Sequence, residues 1–232
     1  MNEGASIIHI HVRDDTERHS LDVDRYRAVI DAVRDRIGSQ LVIQVTTEAC
    51  GIYAAEEQMA MVRELKPEAV SLALRELCRD AQAEPAAGDF FAWLNAEQIM
   101  TQYILYAPED VCRFEDLRRR GVIVDDAPFV LFVLGRYAGK VTGDVGELDA
   151  FVHEASGDTI WAVCCFGATE LQAASRAARL GGHARVGFEN NLLLPNGDVA
   201  PDNAALVRYA VAAGRGVQRQ AATADDVRKL LT

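Results

Sequence analysis

Runs of aliphatic and β-branched residues recur at 6–12, 41–47, 69–74, 102–106, 129–134, 159–165 and 184–189, and apolar residues return with helical period in the segments between them. This alternation constrains the fold more than any other feature of the chain. Between 21 and 37, Val23, Tyr26, Val29, Ile30, Val33 and Ile37 form one helical stripe, stopped by Gly38. Behind it, Leu41-Val42-Ile43-Gln44-Val45 is nearly unbroken in apolar residues, as a strand buried on both faces must be. Further helices are predicted over 54–65, 90–99, 108–120, 147–155, 169–180, 203–213 and 223–231, with a loop at 84–88 and a glycine-rich loop at 135–146. Strands alternating with helices call for an α/β fold with a parallel sheet, and seven strands are one fewer than a TIM (β/α)8 barrel closes with. No linker or low-complexity tract interrupts the 232 residues, so a single domain over 1–232 is expected. Residues 2–5 read as the end of a helix running into the first strand. A first β-α unit is therefore expected to be absent, with a gene longer upstream or a neighbouring subunit covering the gap, because an open barrel leaves unpaired edges.

The first strand ends in chemistry. Residues i and i+2 of a strand project to the same side, so His9 and His11 share one face. Arg13-Asp14 and the polar residues 15–19 mark the strand's end, which puts both imidazoles at the C-terminal mouth, where parallel α/β sheets bind ligands. Two neutral imidazoles on a rigid strand suit a divalent metal, and a Zn2+ site that does chemistry takes three protein ligands and keeps one position open. The third ligand has to come from elsewhere; satisfied or solvent-facing histidines are the plain alternative.

Composition narrows the partners. A net charge of −11 and a pI near 4.9 argue against nucleic acid or an acidic membrane surface, so an anionic substrate would need a local cation. No apolar run approaches the ~20 residues of a membrane span, the first residues do not form a signal sequence, and a cytoplasmic location is expected. Cys50, Cys78, Cys112, Cys164 and Cys165 include no CxxC, which indicates reduced, mostly buried thiols rather than a disulfide framework or a thiolate zinc site.

Two motifs carry a resemblance. Ile8-His9-Ile10-His11-Val12-Arg13-Asp14 and Gly181-Gly182-His183-Ala184-Arg185-Val186-Gly187-Phe188-Glu189-Asn190-Asn191 resemble the β-keto acid cleavage enzymes, the family of 3-keto-5-aminohexanoate cleavage enzyme. Thr46-Thr47, Lys66-Pro67-Glu68, Phe132-Val133-Leu134-Gly135 and Pro201-Asp202-Asn203-Ala204 fall in matching order, so the resemblance spans essentially the whole chain and lacks the family's first strand and helix.

The resemblance implies a TIM barrel in a homo-oligomer, a dimer or tetramer, with a divalent metal, typically Zn2+, held by His9, His11 and Glu189. Glu189 is read as ending the last strand, with Arg185 four residues earlier pointing to the same side. The implied reaction joins a β-keto acid to acetyl-CoA and releases acetoacetate and a new acyl-CoA by Claisen-type chemistry, a transferase activity. Arg185 matches the substrate-binding arginine, whose guanidinium grips a carboxylate with two parallel bonds. Thr46 and Ser71 keep hydroxyls where the family contacts substrate. Two positions depart from the pattern: Asn190 stands where an aspartate is proposed to move a proton, and Ile104 replaces another acidic residue. An amide is no general base, so Glu76 or Glu48, each just beyond a strand mouth, is left to supply one. No Gly-x-Gly-x-x-Gly cradles a phosphate, which leaves CoA to loops and basic side chains. Two alternatives stay open: a non-catalytic relative that binds metal and keto acid, and another zinc-dependent barrel lyase or hydrolase.

Overall fold

The computed structural model describes residues 3–125, 127–135 and 142–231. The chain opens with β1 (Ile7–Ile10) and a two-residue hairpin, β2 (Val12–Arg13) against β3 (His19–Ser20). Then follow α1 (Val23–Ile37), β4 (Val42–Thr46), α2 (Ala55–Leu65), β5 (Ala69–Ala73), a short α3 (Leu74–Leu77), α4 (Glu84–Ala96), β6 (Met100–Leu105) and α5 (Pro108–Arg119). After β7 (Phe129–Leu134) come α6 (Leu148–Glu154), β8 (Ile160–Cys165), α7 (Glu170–Leu180), β9 (His183–Ala184), α8 (Asn203–Arg215) and α9 (Ala224–Leu231). The seven-stranded sheet runs β1-β4-β5-β6-β7-β8-β9, in chain order. Parallel pairing joins β1 to β4, β4 to β5 and β5 to β6, and likewise β7 to β8 and β8 to β9. This is the expected α/β fold of TIM type. No helix among the described residues is long and apolar enough to cross a membrane.

Packing divides the chain into two units. One holds Ser6–Ile104, Phe114–Pro128 and Thr223–Thr232. Every residue of β4 and β5 is buried, which is why both read as continuous apolar runs. Phe90, Phe91, Leu94, Tyr103 and Phe114 pack beside them, with Tyr103 5.5 Å from the Phe91 ring and 5.1 Å from Phe114. Each such aromatic contributes about 1.5–3 kcal/mol by leaving water. Asp22 caps α1 by accepting from Arg25 N at 2.8 Å, and Gly38, with φ 56°, ends it. Helix α2 closes on Lys66 in a left-handed conformation before Pro67. Glu68 is held by Arg34 and, at 2.8 Å, by Arg228 of α9; its Oε2 also accepts from Ile43 N at 3.3 Å. Because the three side chains are about three-quarters buried, Glu68→Ala is expected to cost about 2–4 kcal/mol, leaving two guanidinium groups half-desolvated. Urea unfolding with an unchanged midpoint would count against this clamp.

The other unit holds Leu105–Arg113 and Phe129–Ala222 with the first residues of the chain. Phe132 stacks on Trp161 at 5.5 Å and tilts against Phe151 at 5.1 Å. Trp161 explains one glycine of the Gly181-Gly182 pair, since a Cβ on Gly182 would meet its ring at 2.3 Å. Arg219 ties the same turn down by donating to the carbonyls of Ala178 (3.1 Å) and Gly182 (2.6 Å).

Several expectations are corrected. Residues 84–88 are the first turn of α4, not a loop: Pro85 lacks only an N–H that the first turn does not use. The segment at 147–155 divides into a 3-10 turn, Val145–Glu147, and α6. The last strand is His183–Ala184, so Arg185 and Glu189 lie beyond it, Arg185 in the extended stretch that follows and Glu189 in the turn after that. Half of the glycine-rich loop at 135–146, residues 136–141, and Asn2 of the expected helix end lie outside the described residues. Cys78, Cys164 and Cys165 are buried as expected, while Cys50 and Cys112 are exposed.

Candidate active site

In the first unit, the C-terminal ends of β1, β4 and β5 bring one group of polar side chains together. His9 and His11 face each other with their Nε2 atoms 3.0 Å apart. His9 Nδ1 lies 2.9 Å from Gln44 Oε1, and Gln44 Nε2 in turn donates to Gln102 Oε1 at 3.4 Å. That chain of amides assigns the proton of His9 to Nδ1 and leaves the lone pair on Nε2. His11 Nδ1 faces Glu48 Oε2 at 3.6 Å, a neighbour that favours an N–H there and again a lone pair on Nε2. Two lone pairs at this separation repel, so a cation or a shared proton belongs between them. The spacing also resembles that of two nitrogens bound to one Zn2+ at about 2.0–2.1 Å each. An oriented second nitrogen on each ring is how metal-ligating histidines are held. The residues present therefore fit a divalent metal.

Around this pair the structure sorts the other expected residues. Glu48, His11 and His19 each offer a ligand atom within 4.8 Å of the others. His19, however, donates Nε2–H to the carbonyl of Glu48 at 2.7 Å, and burial lowers its pKa and keeps it neutral, so it braces the loop that carries Glu48. Glu76 accepts from Ala49 N at 3.1 Å; burial raises its pKa above the usual carboxylate value, and nearby Glu48 adds to that. Thr46 uses its hydroxyl to accept from Glu48 N at 3.1 Å, turning the chain at the strand end. Ser71 and Thr47 are fully buried, and their hydroxyls have no hydrogen-bond partner among the described residues. Ile104 is buried.

Sequence reasoning missed Gln44, Thr47 and His19. The signal for Gln44 was present: an amide inside a strand buried on both faces needs a partner.

In the second unit, Arg185 Nη2 lies 3.4 Å from Glu189 Oε1 and 3.9 Å from Cys164 Sγ. Glu189 sits in a turn in which Asn190 N and Asn191 N both donate to Gly187 O, at 2.9 and 3.0 Å. Asn190 is buried, and its Nδ2 has no hydrogen-bond partner among the described residues. Such a donor can bind an oxygen atom but cannot take a proton. Burial pushes the carboxyl of Glu170 up to about 7, against two hydrogen bonds, from Gly187 N at 2.9 Å and Asn191 Nδ2 at 3.3 Å, that favour its ionised form. The structure thus brings His9, His11 and Glu48 together in one unit, and Arg185, Glu189 and Asn190 in the other.

Known proteins resemble the chain over most of its length. The 3-oxoadipate:acetyl-CoA acetyltransferase of Cupriavidus necator is 30% identical over 98% of this chain and 81% of its own length. A 3-keto-5-aminohexanoate cleavage enzyme from Fusobacterium nucleatum is 28% identical over 99% of this chain and 84% of its own. Among solved structures, a type I 3-dehydroquinate dehydratase from Clostridium difficile superposes with a TM-score of 0.54 at 10% identity, over 81% of this chain and 74% of that one, a likeness of fold alone. The sequence pattern described as beta-keto acid cleavage enzyme matches residues 1–232, from the His-x-His strand to the terminal helix, and the chain accordingly belongs to that family.

Proposed function

We propose that this protein cleaves a β-keto acid with acetyl-CoA, giving acetoacetate and an acyl-CoA, at a centre where His9, His11 and Glu189 hold a divalent metal, Zn2+ or a similar ion. The observation that carries the reading is the His9–His11 pair, whose rings are oriented from behind by Gln44 and Glu48 so that two lone pairs converge. When bound, such a metal supplies a Lewis acid for the keto oxygen. Arg185 binds the substrate carboxylate with its fork of N–H donors. Asn190 donates its buried Nδ2 to a substrate oxygen and orients it. Ser71 offers a hydroxyl that has no hydrogen-bond partner among the described residues, and Thr46 shapes the strand end beside it.

Glu76 is proposed as the base that removes the α-proton. Its raised pKa makes it a stronger base than an ordinary carboxylate, and it works deprotonated. The acid limb of kcat/KM is therefore expected above the ordinary value of 4.5, with activity rising as pH rises through the limb. Glu76→Gln should lower kcat by about 10²–10⁴ and abolish that limb. A variant that keeps the limb would assign it to another group, Glu48 first.

The defining experiment incubates the purified protein with acetyl-CoA and a panel of β-keto acids and follows acetoacetate and new acyl-CoA by mass spectrometry. Products that form only when both substrates are present support the proposal. Metal and keto acid bound without turnover would favour a binding-only relative, the reading that Asn190 in place of an aspartate favours. Product formed without acetyl-CoA would favour another barrel lyase or hydrolase. A dimer or tetramer and a cytoplasmic location belong to the same proposal.

A further inference from the structure

Glu170 is the first residue of α7 and is 1% exposed, yet no cation pairs with it among the described residues. Burying a carboxylate is costly, and the helix N-terminus offsets only part of the cost. Its two oxygens are used separately. Oε1 accepts from Gly187 N at 2.9 Å and Oε2 from Asn191 Nδ2 at 3.3 Å. Gly187 and Asn191 are the two ends of the turn that carries Glu189 and Asn190. Asn191 cannot flip to meet a different partner, because its Oδ1 accepts from Leu193 N at 2.9 Å and its Nδ2 also donates to Leu193 O at 2.7 Å. Gly187 is equally committed: with φ +150° it occupies a conformation that side chains rarely adopt, and an added Cβ would stand 3.0 Å from Asn203 Oδ1. Gly167 N, three residues before Glu170, donates to Asn190 O at 2.9 Å and holds the middle of the same turn. One buried carboxylate thus spans the turn.

We propose that Glu170 is a positioning residue: by gripping Gly187 and Asn191 with its two oxygens it fixes the angle at which Glu189 is presented to a metal and Asn190 to substrate. The proposal rests on the reading of Glu189 as a metal ligand and deepens it. A glutamine at 170 could still accept from Gly187, but its NH2 would face the NH2 of Asn191, and the second grip would be lost.

The test measures Zn2+ affinity of the full chain by competition with a chromophoric chelator, beside thermal unfolding, for wild type, Glu170→Gln, Asn191→Ala and Glu189→Ala. Loss of a group that orients a ligand is expected to weaken Zn2+ binding by about 10–100-fold in Glu170→Gln and Asn191→Ala alike, without a matching fall in thermal stability. A purely structural role would move the unfolding midpoint and leave Zn2+ affinity alone. If Glu189→Ala loses Zn2+ while either of the other two variants, folded, binds within twofold of wild type, the positioning role is overturned and the ligand stands. If Glu189→Ala binds as wild type does, the ligand reading falls and takes this inference with it. Asn191→Ala removes the grip from the opposite side, so it decides the matter should Glu170→Gln fail to fold.

Discussion

Replacing His9 and His11 together by alanine is expected to remove bound divalent metal and to lower kcat/KM by on the order of 10³ or more, since several kcal/mol of transition-state stabilisation would go with the metal. Elemental analysis of the purified protein checks this directly. About one ion per chain in the wild type and none in the variant is the expected pair of results. Either single variant should behave almost as badly, because each ring supplies one of two lone pairs that meet at 3.0 Å. The variant Gln44→Leu should be milder: it frees the His9 ring to adopt the other tautomer, with a cost of about 10–100-fold in metal affinity. Metal retained by the double variant would place the ion elsewhere and sink the assignment.

Arg185→Ala is expected to raise KM for the keto acid by about two orders of magnitude, as removal of a charge-assisted, two-bond grip on a carboxylate costs roughly 3 kcal/mol. Arg185→Lys should recover only a small part, because an ammonium is a point charge without the planar fork. KM for acetyl-CoA should change far less. Steady-state kinetics with each substrate varied in turn separates the two, and equal losses for both would point to collapse of the Glu189 turn, which Arg185 also touches at 3.4 Å.

The sequence foretold the sheet well for a simple reason. Strands buried on both faces have to be apolar along their whole length, so 42–46, 69–73 and 129–134 stand out without any knowledge of their neighbours. It foretold the end of the last strand badly. Val186 and Phe188 sit two apart between Arg185 and Glu189, as on a half-buried strand, but Gly187 takes φ +150° and the chain folds back on itself. Glu170, seventeen positions earlier, accepts from Gly187 N at this bend, and that coupling leaves no mark on local periodicity. The hairpin at 12–20 escaped for a related reason, since two-residue strands have no period to read. His9 and His11 were legible as a pair, while their protonation was not: it depends on Gln44, thirty-five positions away, and on Glu48.

The arginine clamp on Glu68 has a bearing on the order of folding. Glu68 and Arg228 stand 160 positions apart, yet both belong to the unit that holds the residues from Ser6 onward. Strands β1, β4 and β5 follow one another closely along the chain and can pair early, whereas the brace that ties Glu68 to the start of β4 waits until Arg228 arrives. Until then Glu68 is held by Arg34 from within its own neighbourhood alone. Closing so long a loop is a late event, and a chain that has yet to make it presents proteases with the unit of the two histidines unlatched.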